Sequence, residues 1–129
     1  MTISFRAVDV HLEVTGSHVL LGLGSGGKKP DHHVIMMRAM GDGESAGDVL
    51  TGEMYLEYRN SAMSGYGCVA RAVLSAEKLT LSLDRRRCPQ FPDSCIDVGL
   101  PRETDLIDKI RGALEHLIDG PRLTVESAP

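Results

Sequence analysis

The sequence predicts an α+β domain in which an antiparallel meander sheet of about six or seven strands carries one C-terminal amphipathic helix on one face. Two observations lead there. Through most of the chain apolar residues recur at every second position between clusters of Gly, Ser, Asp and Pro, as where Leu79, Leu81 and Leu83 alternate with Thr80, Ser82 and Asp84. Near the end the spacing changes to three and four, placing Leu106, Ile107, Ile110, Leu114, Leu117 and Ile118 on one stripe with Ala113. Such a stripe needs a sheet to lie on, because a short helix is held by tertiary packing rather than by its own propensity.

The elements follow in order. Val8, Val10, Leu12 and Val14 alternate with Asp9, His11, Glu13 and Thr15, and Gly16 and Ser17 then turn the chain. His18 to Gly24 pairs back, and a glycine-rich loop leads into a strand from Val34 to Met40. Gly41 to Glu53 has no sustained period and reads as a loop or one helical turn. In the next strand Met54, Leu56 and Tyr58 share one face, and Tyr55, Glu57 and Arg59 the other. "SAMSG" reads as a turn, Tyr66 to Leu74 as a strand, Ser75 to Glu77 as a tight turn and Lys78 to Asp84 as the clearest strand.

Arg85 to Ser94 holds two prolines and is expected to be irregular, with Ile96 and Val98 forming a short edge strand. The helix runs from Glu103 to Ile118. Gly120 fits the left-handed residue after its last turn, and Pro121 prevents continuation. Residues 1–120 form a single domain, and residues 121–129 a short tail that is either frayed or paired at an edge.

Composition narrows the function. A chain of 129 residues buries enough surface to fold around one core without staples. A net charge of −4, no Trp, two Phe and three Tyr disfavour nucleic acid, which rewards cationic surfaces and aromatic platforms. A mildly acidic surface favours a basic protein instead. "MTISFRAVDVHLEV" lacks the basic segment and apolar core of an export signal and reads as a strand, and no apolar run is long enough to span a membrane. The expected location is therefore the cytoplasm, with Cys68, Cys88 and Cys95 as reduced thiols.

Local motifs give little chemistry. In "LGLGSGGKKP", Gly22, Gly24 and Gly27 fit a dinucleotide fingerprint, and Gly22, Gly27 and Lys28 most of a phosphate loop. Both need a following helix, but Pro30 pushes Lys29 away from helical angles and the next segment reads as a strand, so a hairpin turn is the better account. Adjacent His32 and His33 point to opposite faces of a strand and cannot easily share one ion, and Cys88 and Cys95 are spaced too widely for a zinc knuckle. "SGYGC" is not a nucleophile elbow. Arg85 to Arg87 suits a solvated strand exit better than a phosphate site. Neither a cofactor, a metal nor a catalytic set is expected.

The span Gly52 to Asp84 resembles the central signature of immunity protein family ten of bacterial polymorphic toxin systems. The resemblance lies in the order of parts: Tyr55 and Glu57 on a strand, Asn60 and Ser64 in a polar stretch, Tyr66 with Gly67, a strand ending "LS", and an alternating leucine strand. The chain departs from it at Arg59, Ser61, Ala62 and Met63, where the pattern prefers an acidic or amide pair, and at Cys68, which replaces a glycine. The resemblance implies a non-enzymatic protein that binds and neutralises a co-encoded toxin domain. Contact is then expected around Tyr55, Glu57, Arg59, Asn60, Ser64 and Tyr66, although Tyr55 and Glu57 serve equally well as supports of the sheet. Two other readings compete: a small-molecule-binding or enzymatic α+β domain with a pocket near the glycine loop, and a homodimer paired through an exposed sheet edge.

Overall fold

In the computed structural model, which describes residues 2–26, 31–39 and 53–126, the strands divide between two five-stranded sheets. One is a meander of β2 (Asp9–Val14), β3 (His18–Gly24), β4 (His33–Ala39), β5 (Tyr55–Tyr58) and β6 (Asn60–Tyr66), antiparallel throughout. The other, a mixed sheet, contains β1 (Thr2–Arg6), β7 (Val69–Leu74), β8 (Lys78–Leu83), β9 (Cys95–Gly99) and β10 (Leu123–Val125). Its order is β1-β9-β8-β7-β10, and both edge strands, β1 and β10, run parallel to their neighbours. The helix α1 spans Thr104–Leu117. The architecture is α+β with more strands than the sequence pattern suggests, and the strands form two layers instead of one.

The chain crosses between sheets at Gly67. Tyr66 closes the meander and Val69 opens β7, so the single strand expected from Tyr66 to Leu74 is broken. Gly67 has φ +66, a conformation that side chains disfavour, and its N–H donates to Met54 O at 3.0 Å. "SAMSG" is not a turn. It lies within β6, and the reversal is made by Arg59 alone, at φ +65 and with a register shift beside Tyr58.

The core follows from alternation. Val19, Leu21, Leu23, Val34, Met36, Leu56 and Tyr58 of the meander are buried with Ala72, Leu74, Leu79, Leu81, Ile96 and Val98 of the mixed sheet. The helix adds Ile110, Ala113, Leu114 and Leu117 to the same core and packs on β2, β3, β4 and β10. Its C-terminal end is tied to β4 where Arg38 meets Asp119 at 3.2 Å. Gly120 is not left-handed: the chain leaves through an extended Ile118, and Gly120–Arg122 forms a 3-10 turn with Pro121 near its start. Ile96 and Val98 do not mark an edge either, since β9 lies between β1 and β8.

His32 and His33 do point to opposite sides. His32 stacks on Phe5 at 5.3 Å and its Nδ1 lies 2.5 Å from the Tyr58 hydroxyl, which joins the start of the chain to the meander. Gly26, at φ +101, begins the turn between β3 and β4, and a strand rather than a helix follows. The rest of the glycine loop, residues 27–30, and all but Glu53 of the Gly41–Glu53 loop lie outside the described residues.

The expectation of three reduced thiols is overturned. Cys68 and Cys88 form a disulfide, with Cα atoms 5.6 Å apart, and Cys95 is free. Sequence hides the pairing because the β7–β8 hairpin separates the two cysteines while returning Asp84 to Cys68, whose carbonyl accepts its N–H at 2.7 Å. A tight turn, with Cys88 N–H on Asp84 O at 2.9 Å, then brings the second sulfur back. Arg85 to Ser94 is irregular as expected, but Phe91 within it is fully buried.

Candidate functional site

Direct cross-strand partners share a sheet face, so the registers assign the outward side of the meander. Tyr55 faces Tyr66 and Met37, Glu57 faces Ser64 and Ile35, Ile35 faces Gly22, and Met37 faces Leu20. His11 and Glu13 continue the rows on β2. None of Leu20, Ile35, Met37, Tyr55, Glu57, Ser64 or Tyr66 is buried, whereas their alternates Leu21, Val34, Met36 and Leu56 are completely so. The face is an apolar and aromatic centre with a polar margin.

One hydrogen-bonded group organises its middle. The Tyr55 hydroxyl donates to Glu57 Oε1 at 2.7 Å, and Glu57 Oε2 meets His33 Nε2 at 3.4 Å from the neighbouring strand. The Tyr66 ring leans against Tyr55 with centroids 5.4 Å apart. Burial raises the Tyr55 hydroxyl above its ordinary range; Ser64 opposes this through a hydrogen bond, while Glu57 reinforces it. At neutral pH the tyrosine is therefore a donor, and Glu57 keeps free lone pairs for a further donor.

The six sequence-selected residues separate into two groups. Tyr55, Glu57, Ser64 and Tyr66 are brought together on the outward face. Arg59 and Asn60 sit at the reversal, both exposed, where the Arg59 N–H donates to His33 O at 3.1 Å and Asn60 Oδ1 accepts from Ala62 N–H at 2.9 Å. Arg59 does not share the row of Tyr55 and Glu57, because its positive φ breaks the alternation. Tyr58, on the inner side, is raised in pKa mainly by burial, with Arg59 lowering it in part.

Sequence reasoning missed Leu20, Ile35 and Met37. Their signal was present: β3 and β4 are apolar at both even and odd positions, and a strand apolar on both sides expects cover on both. It also missed the brace at the end of β6. Gln90 hydrogen-bonds to Ser64 O, and the disulfide lies against Gly65, where an added Cβ would come within 2.9 Å of the Cys68 sulfur. Arg87 pairs with Glu53 and lies over Gly67.

Other features offer less. A cavity of about 150 Å³ at the end of the helix is lined by Arg38, Glu53, Arg87, Asp119 and Arg122, away from the glycine turn. Two of its arginines are already paired with its two carboxylates. Among the described residues no group of three His, Cys, Asp or Glu converges to hold a metal, and no helix is long and apolar enough to cross a membrane. The Cys95 thiol is raised in pKa by burial and by Asp97 beside it, which works against nucleophilic reactivity.

A family model described as immunity protein 10 matches residues 4–102, from within β1 to the end of β9 and up to the helix. Among curated proteins no significant match to the chain exists.

Proposed function

The chain belongs to the immunity protein 10 family, and from that membership we propose that it binds a co-encoded bacterial toxin domain and neutralises it by protein contact, with no chemistry of its own. The family points to a protein partner, and the outward face of the meander is the surface that suits one. Aromatic residues beside a hydrogen-bonded charged group are the kind of cluster that anchors interfaces. Tyr55, Glu57, Ser64 and Tyr66 form the centre of the proposed contact, and Arg59 and Asn60 its rim at the β5–β6 reversal. The observation that carries the reading is this partly exposed Tyr55–Tyr66–Glu57 group, set on a sheet whose opposite side contributes to the core.

We place the encounter in the cytoplasm of the producing cell, where a toxin domain would meet its immunity partner as both are made. A disulfide is uncommon in such a compartment; Cys68 and Cys88, at 0% and 2% exposure, are shielded from soluble reductant. The test is growth of bacteria expressing the C-terminal domain of the polypeptide encoded immediately upstream, alone and together with this chain. Relief of toxicity by coexpression is expected. A toxic domain that this chain does not relieve would end the immunity reading.

A further inference from the structure

Among the described residues, the lysines and arginines avoid one surface. The outward positions of the meander are Asp9, His11 and Glu13 on β2, His18, Leu20, Gly22 and Gly24 on β3, His33, Ile35, Met37 and Ala39 on β4, Tyr55 and Glu57 on β5, and Ser64 and Tyr66 opposite them on β6. They include three carboxylates and three histidines, and no lysine or arginine. The only arginine in the five strands, Arg38, has the inward parity of Val34 and Met36 and pairs with Asp119. Arg59 stands at the reversal, and its charge is felt by Tyr58 on the inner side.

From this distribution we infer that the outward face of the meander docks a basic protein surface, one that presents an aliphatic or aromatic anchor to Leu20, Ile35, Met37, Tyr55 and Tyr66 with lysine or arginine directed at Glu13, Asp9 and Glu57. The inference rests on the immunity reading and specifies its partner. Glu57 is preorganised for the role: Tyr55 and His33 fix both oxygens, and its side chain is only 19% exposed, so an incoming guanidinium meets a carboxylate that is already oriented and partly desolvated. Glu13 is held between His11 and His18, at 3.5 and 3.2 Å, across the apolar patch from Glu57. A cation at each end with an apolar group between them fits this spacing.

Size sets the reach of the contact. Five strands about 4.8 Å apart, of four to seven residues at about 3.3 Å each, make a face of roughly 400 Å². A standard interface takes about 800 Å² per partner. The partner must therefore reach beyond one edge of the sheet.

The probe is the purified C-terminal domain of the polypeptide encoded immediately upstream, and the readout is association and dissociation against the full chain. Raising salt from about 0.05 to about 0.5 M should slow association roughly tenfold or more. Glu13→Lys should slow association several-fold, and Met37→Lys should weaken affinity by at least about tenfold. Glu115→Lys, on the exposed side of the helix, should change affinity by less than about twofold; circular dichroism checks that each variant is folded. Binding that is insensitive to salt and to both face variants would overturn the docking face while leaving the immunity reading intact. No binding by the wild-type chain would overturn both. A second copy as the occupant would appear as a concentration-dependent mass, abolished by Met37→Lys, and would also overturn the inference.

Discussion

Tyr55 donates its phenolic hydrogen to Glu57 two positions along the same outward row of β5, at 2.7 Å. The bond fixes an aromatic ring and a carboxylate in one geometry beside the apolar centre of the face. Tyr55→Phe keeps the ring against Tyr66 and removes the bond, so the loss of stability should be about 1 kcal/mol, measured by denaturant unfolding. Loss of affinity for the proposed toxin partner well beyond what that small loss of stability would produce would show that the bond serves binding.

The same tyrosine gives a pH signature. Burial chiefly holds the hydroxyls of Tyr55 and Tyr58 above their ordinary range. Because the folded value exceeds the unfolded one, the stability linked to each proton is intact below the ordinary tyrosine range. It is lost as pH rises through the raised folded value. Ultraviolet titration of the native chain should show two tyrosines ionising late, and Tyr55→Phe should remove one of those steps.

Two positive-φ positions predict opposite outcomes. Gly67→Ala puts a side chain at φ +66 beneath the Arg87 guanidinium, and should cost about 1–2 kcal/mol even if Arg87 swings aside. Arg59→Gly relieves the same backbone conformation and should leave stability unchanged or raised by up to about 1 kcal/mol. Any fall in binding to the proposed toxin partner by Arg59→Gly then belongs to the lost guanidinium. Thermal melts of both variants check the pair.

Thiol counting tests the covalent link. The chain unfolded without reductant should react as one thiol, Cys95, and with reductant as three. Reduction, or the double variant Cys68→Ala with Cys88→Ala, should destabilise by about 3 kcal/mol, and the two effects should not add. Three reactive thiols before reduction would refute the bond.

Phe91 anchors the Arg85–Ser94 segment in the core. Phe91→Ala should cost about 3–5 kcal/mol, as for any large aromatic truncation at a fully buried site. A loss below about 1 kcal/mol, read from urea midpoints, would mean that the segment lies on the surface.

What could be read from the sequence was what local chemistry writes. Leu79, Leu81 and Leu83 announced β8 by strict alternation, and the stripe from Leu106 to Ile118 announced the helix. The division into two sheets has no local signature, because Thr2 pairs with Cys95 in a parallel ladder that no turn specifies. The disulfide is hidden for a similar reason, its cysteines lying on either side of a hairpin. Of the candidate contact residues, the pattern set Tyr55 and Glu57 on one face, and the bulge at Arg59 is what removed Arg59 from it.

The two sheets also differ in when they can be made. Every strand of the meander pairs with its sequence neighbour, so a ribosome that has released the chain through Tyr66 has already supplied the whole of that sheet. The mixed sheet cannot close so early: β1 emerges first, yet β9, its partner among the described strands, follows after seven other strands. Until then the nascent chain holds an unpaired strand edge, the feature most open to wrong pairing. Slow decoding between Tyr66 and Cys95 would lengthen that exposure, whereas slow decoding after Gly99 would fall on a chain whose mixed sheet lacks only the edge strand β10.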